Sequence, residues 1–315
     1  MGLGDRRVTN DPALVSVDLD HGGRWTSLRL GGREWLMSRD EPRRACVAPG
    51  DPFADAGGIE ECVPTVRGRP DHGDAWSRAW HDAGDGAEAR CDDFTLRRWI
   101  MPGDGRVRAR YRLSADPGYR FVWAAHALLD VSPRAVLRIR GNPAVRLYPE
   151  AAALLDEPWP PGEPFVTARW PGPDGLRLDR LGPDDGTAVG AIVGDRAEVT
   201  VRDGDGPGLR MRLKAGAGLP SSETPVAPVA SVALWRNLGG FPDGRPYRSI
   251  GVEPMLGSVF DLAEARREGD AVTVPRAGYV EWELEIEMAL DTETAGDTGM
   301  PGDTGMPGDN ARAGS

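Results

Sequence analysis

Along this chain, hydrophobic and polar residues alternate over short stretches that glycine and proline separate from one another. In 106–113 (RVRARYRL), arginines alternate with Val107, Ala109, Tyr111 and Leu113, which predicts a strand with one buried and one solvated face. The stretch 209–213 (LRMRL) repeats the pattern. In 280–288 (VEWELEIEM) it is most regular, with Val280, Trp282, Leu284, Ile286 and Met288 on one side and glutamates on the other. Half-buried antiparallel strands produce this alternation, whereas strands of a parallel sheet covered on both sides read as unbroken apolar runs. Shorter candidates at 136–140 (VLRIR) and 197–202 (AEVTVR) extend the same reading to packed antiparallel sheets.

Helical signals are few. The segment 262–268 (LAEARRE) follows Asp261, a good N-cap, and precedes Gly269, a good stop. A single short turn is also expected over 150–156 (EAAALLD). Beyond about Asp291 the character changes: DTGMPG at 297–302 recurs at 303–308, with no apolar spacing to bury. The expected organisation is one all-β domain over residues 1–291 and a disordered low-complexity tail over 292–315.

Composition narrows the function classes. The chain has 315 residues, with 42 glycines and 28 prolines, which suits many short strands joined by turns. Its 38 basic and 49 acidic residues leave a net charge of -11, so nucleic acid and anionic membrane are disfavoured partners. No apolar run is long enough to span a bilayer, and 1–10 (MGLGDRRVTN) lacks the apolar core of a signal peptide. Cys46, Cys62 and Cys91 are odd in number and form no C-x-x-C pair, which argues against a disulfide framework or a structural zinc site. These features predict a reduced, cytoplasmic protein. The glycine-rich 204–208 lacks the spacing of a dinucleotide fingerprint, and no G-x-S-x-G elbow is present.

Four histidines are available, and three segments surround candidate chemistry. In 57–65 (GGIEECVPT) and 70–77 (PDHGDAWS), Glu60, Glu61, Asp71, His72 and Asp74 lie among glycines and prolines that impose an irregular backbone. Read plainly, this is a solvated acidic loop anchored by Trp76 and Trp80. His126 interrupts an apolar run at 121–130 (FVWAAHALLD), where a core histidine with a satisfied hydrogen bond is the ordinary case. Glu253 sits in 250–257 (IGVEPMLG), as either a general base with a raised pKa or a carboxylate that caps a turn or pairs with Arg248. His72, Asp74, His81 and Asp82 fit no standard metal-ligand spacing.

Taken together, G-G-x-E-E-C-x-P-T, P-D-H-G-x-x-W-S, W-x-x-H at 123–126 and G-x-E-P at 251–254 resemble the aldose 1-epimerase (galactose mutarotase-like) superfamily, over roughly residues 55–260. The resemblance implies a large antiparallel β-sandwich with an open cleft for a monosaccharide. It implies Glu253 as general base toward the anomeric hydroxyl, His126 as general acid toward the ring oxygen and His72 as a sugar-orienting histidine. No metal or redox cofactor is implied. Glu60, Glu61 and Asp71 are candidate sugar contacts, and Trp76 and Trp123 candidate apolar faces for the ring. The family's asparagine-arginine segment has no counterpart, which leaves Arg236 and Arg248 as substitutes for its sugar-contacting arginine. Two other readings stay open: a carbohydrate-binding module without turnover, and an acid-base cleft recruited to another isomerisation or lyase reaction. A phosphorylated sugar would need a basic cluster in the cleft, and none is evident along the sequence.

Overall fold

In the computed structural model, residues 12–215 and 229–289 are described, and they form two large antiparallel sheets packed face to face. One sheet has ten strands and the other eight, and a small ribbon pairs Arg120–Phe121 with Val272–Thr273. The predicted all-β antiparallel sandwich is the fold observed. The repeated tail segment lies outside the described residues.

The three strongly alternating stretches are neighbours in the eight-stranded sheet, as Arg106–Ala115, Tyr279–Ala289 and Gly208–Ala215. Their apolar positions point into the sandwich, where Tyr111 stacks on Trp282 with ring centroids 5.3 Å apart. Their charged positions form a ladder on the outer face. Arg110 and Arg112 pair with Glu281 at 2.9 and 2.7 Å, Arg108 with Glu285 at 2.9 Å, and Lys214 with Glu283 at 3.0 Å. Alternation of arginine and glutamate on facing strands thus cancels like-charge repulsion across the sheet.

The ten-stranded sheet has at its centre Gly58–Cys62, Trp123–Leu129, Arg248–Leu256, Ala230–Leu238 and Ala188–Val193, in that spatial order. These strands read as apolar on both faces because both are covered. The inner face joins the main core through Ile59, Trp123, Val252 and Val189. On the outer face, Cys62, Ala124, Met255, Ala233 and Ile192 lie under Val259, Phe260 and Ala265. Ala265 belongs to the α-helix Leu262–Glu268, which forms where predicted. Asp261 accepts from the Glu264 amide, and Gly269 ends the helix in the left-handed region. The expected turn near 150 is a 3-10 segment, Pro149–Leu154. No helix among the described residues is long and apolar enough to cross a membrane.

Candidate active site

Strand register assembles the site. His126 faces Glu60 on one side, and Glu253 faces Ala233 two strands away. The pairs Ala124–Met255 and Leu128–Gly251 bracket His126, so a constant register sets it opposite Glu253. Glu60, His126 and Glu253 therefore form one row across three adjacent strands, all on the outer face with Cys62, Ala124 and Met255. Above this row opens a cavity of about 860 Å³, whose wall includes His126, Glu253, His72, Asp71, Phe53 and Asp55.

His126 and Glu253 are 7% and 3% exposed, and His126 Nδ1 lies 2.9 Å from Glu253 Oε1. The ring N–H is not aimed along that line, so this is an ion contact rather than an aligned hydrogen bond. Burial opposes charge on the ring, but the Glu253 carboxylate, with Asp55 and Glu60 behind it, raises the His126 pKa to about 9. Space for the carboxylate comes from Gly251: a Cβ there would lie 2.4 Å from Glu253 Oε1.

His72 reaches the cavity by an unusual backbone. It has φ of 59° without being glycine, and Gly73 after it has φ of 76°. A side chain at position 73 would strike the Val63 carbonyl, so the proline-aspartate-histidine-glycine turn holds the histidine against the strand that carries Glu60. Its ring stacks on Phe53 at 3.8 Å and lies 5.2 Å from that of His126. Nδ1 is 3.0 Å from Asp71 Oδ1. Burial lowers the His72 pKa, Asp71 offsets part of this, and the positive His126 ring adds to it. Against the cost of burial, the His72 ring and the Phe53 amide hold Asp71 below the usual carboxylate range. Two histidines in edge contact are thereby pushed apart, His72 toward neutral and His126 toward charged.

The remaining sequence-predicted residues divide by strand parity. Glu60 is on the cavity face but beneath it, 2% exposed, with Arg44 Nη2 at 3.0 Å and Arg24 Nε at 4.0 Å. Burial raises its pKa to about 8 in spite of both arginines. Glu61 and Trp123 point the other way, into the sandwich. There Arg98 and Tyr111 meet Glu61 Oε1 at 2.7 and 3.0 Å, and Trp123 Nε1 donates to Oε2 at 2.9 Å. Arg236 and Arg248 also have the parity opposite to Glu253. They bind Asp185 and Asp184 and the carbonyls of Leu181 and Gly182, so neither reaches the cavity. Trp76 is buried behind Phe53, at 4.9 Å edge-on, and donates to the Asp71 carbonyl at 3.1 Å.

The structure adds cavity residues that the motifs did not mark. Tyr247 donates to Asp55 Oδ2, and the Arg39 guanidinium lies 4.2 Å over the Tyr247 ring. Arg39 also donates to the Asp55 carbonyl at 3.0 Å. Burial, and then the Asp55 charge, raise the Tyr247 pKa. Arg67 pairs with Glu150 and lies over Phe260 at 4.7 Å, in a gap that Gly190 leaves open. Trp235 and Phe241 meet edge to face at 5.7 Å on another part of the wall. Trp235 shares the parity of Ala233, the register partner of Glu253, which puts it on the cavity face. Arg39, Asp55 and Tyr247 come from loops and carry no spacing signal.

No family model matches the sequence, and no curated protein does. Solved structures match the fold over most of its length. A candidate aldose 1-epimerase from Escherichia coli K12 aligns with a TM-score of 0.59 at 15% identity, covering 88% of this chain and 95% of that one. A galactose mutarotase-like protein from Lactobacillus casei aligns with a TM-score of 0.55 at 15% identity, covering 89% and 98%. The protein Slr1438 from Synechocystis aligns with a TM-score of 0.56 at 15% identity, covering 92% and 98%. The chain therefore has the galactose mutarotase-like fold.

Proposed function

We propose that this protein interconverts the anomers of a free aldose by acid-base ring opening and reclosure, without a cofactor. The observation that carries the reading is the buried His126–Glu253 pair on the floor of the cavity, with its ring drawn toward the charged state. Glu253 takes the proton of the C1 hydroxyl as the C1–O1 bond becomes a carbonyl. The C1–O5 bond breaks, and the ring oxygen takes a proton from His126. With Nδ1 held toward Glu253, Nε2 is the nitrogen that delivers it. Rotation about C1–C2 exposes the other face of the aldehyde. Reclosure then returns one proton to His126 and takes the other from Glu253, so the pair ends each cycle as it began.

His72, kept neutral, hydrogen-bonds and orients the sugar, as do Asp71 and the Arg39–Asp55–Tyr247 cluster. The off-line contact between acid and base leaves both groups able to turn toward a substrate without first breaking an aligned hydrogen bond. Polarimetry of freshly dissolved α-D-glucose and α-D-galactose tests the reading. Acceleration that is lost in His126→Asn supports it. No acceleration of either sugar, or full activity in the variant, refutes it.

A further inference from the structure

The cavity is larger than one sugar ring needs. Its volume of about 860 Å³ falls near the top of the range of about 300–1,000 Å³ that holds drug-sized ligands, and a monosaccharide is much smaller than these. Trp235 lies two residues along its strand from Ala233, the partner of Glu253, and its Cβ and the Glu253 carboxylate both border Gly251, so the aromatic wall starts beside the base. Phe241 follows the end of that strand and adds a second ring, its centroid 5.7 Å from that of Trp235.

Phe241 is 52% exposed, unusual for a phenylalanine, yet its loop is held firmly. Asn237 Oδ1 accepts from the amides of Gly240 and Phe241, each at 3.0 Å, and its Nδ2 donates to the Phe241 carbonyl at 2.8 Å. An exposed aromatic ring on a fixed loop, beside a second aromatic in a cavity wall, is a platform with nothing of this chain upon it among the described residues. Sugar rings offer apolar C–H faces to such platforms and hydroxyls to polar neighbours, and Thr187 and Arg39 line the same cavity.

We propose that the preferred substrate is a reducing disaccharide, its reducing ring at His126 and Glu253 and its outer ring stacked on Trp235 and Phe241. This rests on the anomer-interconversion reading of the same cavity. The anomeric carbon must stay free, so the outer ring extends from another carbon of the reducing ring, toward the aromatic wall.

The test is polarimetry with α-lactose and β-maltose against α-D-glucose and α-D-galactose, on the wild type and Phe241→Ala, with calorimetric binding of the same sugars. The wild type is expected to show kcat/KM for at least one disaccharide about ten-fold above the monosaccharides. Phe241→Ala is expected to reduce that ratio by about the same factor. Equal kcat/KM for both classes, or a ratio unchanged by the substitution, overturns this inference and leaves the anomerase reading standing. If no sugar is turned over, that reading fails, and calorimetry decides: tighter disaccharide binding that weakens in Phe241→Ala supports the platform, and no preference overturns it.

Discussion

Replacing Glu253 by glutamine changes almost nothing in shape, since the amide fits the gap at Gly251, but removes the charge that holds the His126 proton. Burial then works on the ring against only Asp55 and Glu60, and its pKa falls from about 9 back toward 6.5. The distance between those two values corresponds to about 3 kcal/mol of preference for the charged ring. A histidine whose pKa is raised on folding contributes stability that is fully present below pH 6.5 and is lost as pH rises through about 9. The pH-dependent part of the stability gap between wild type and Glu253→Gln is therefore greatest near pH 6 and fades by about pH 9.5. Urea denaturation at intervals across that range measures it, and NMR titration of the His126 ring measures its cause. Sugar turnover in the variant should fall by about 100- to 10,000-fold, the ordinary contribution of a positioned base. A stability gap independent of pH, or a His126 ring that still titrates near 9 in the variant, would refute the reasoning.

Other consequences follow from the same geometry. Wild-type turnover should hold through neutral pH and fall as pH rises through about 9, where His126 loses the proton it donates; an activity profile that passes pH 10 undiminished would contradict the assignment. Gly251→Ala puts a methyl group 2.4 Å from Glu253 Oε1 and 2.9 Å from Trp235 Cβ, so kcat should drop by about 10- to 100-fold with an unchanged circular dichroism spectrum. Arg98→Met strands the Glu61 carboxylate in the core and should cost about 3–5 kcal/mol in urea denaturation, with Arg98→Met/Glu61→Gln closer to wild type than the single variant.

The sandwich was legible because its outer sheet meets water. In Tyr279–Ala289, each glutamate marks a solvated position and each apolar residue a core position, so period two survives in the letters. The site lies on the other sheet, whose central strands are covered on both faces, and there period two is erased. The run around His126 gives no sign of which side faces the core. That is why Glu60 and Glu61, or Trp123 and His126, looked equivalent as candidates, although the first member of one pair and the second of the other belong to the cavity side. Motif resemblance supplied Glu253, His126 and His72, which the fold brings together. It had no hold on Arg39, Asp55 or Tyr247, which meet only through tertiary folding, or on Arg236 and Arg248, which proximity in sequence to Glu253 made attractive and strand parity turns away.

Charge within the cavity bears on what it admits. Arg39, Arg43 and Arg67 line it, a basic set that the sequence did not reveal. Each touches a carboxylate: Arg39 and Arg43 share Glu41, at 3.2 and 2.9 Å, and Arg67 pairs with Glu150. Against the cost of partial burial and through Arg43 above all, Glu41 is itself held down to about 2, so it stays ionised at any working pH. The wall also carries Asp55, Asp71 and Glu253, against which only His126 adds a further positive charge. A phosphoryl group entering here would meet a surplus of carboxylates that repel it, and arginines whose charge those carboxylates already offset. A neutral sugar meets no such barrier. Under the proposed function its hydroxyls would donate to the carboxylates and accept from the remaining guanidinium N–H groups, so the arginines would serve as fixed hydrogen-bond donors rather than as an anion trap.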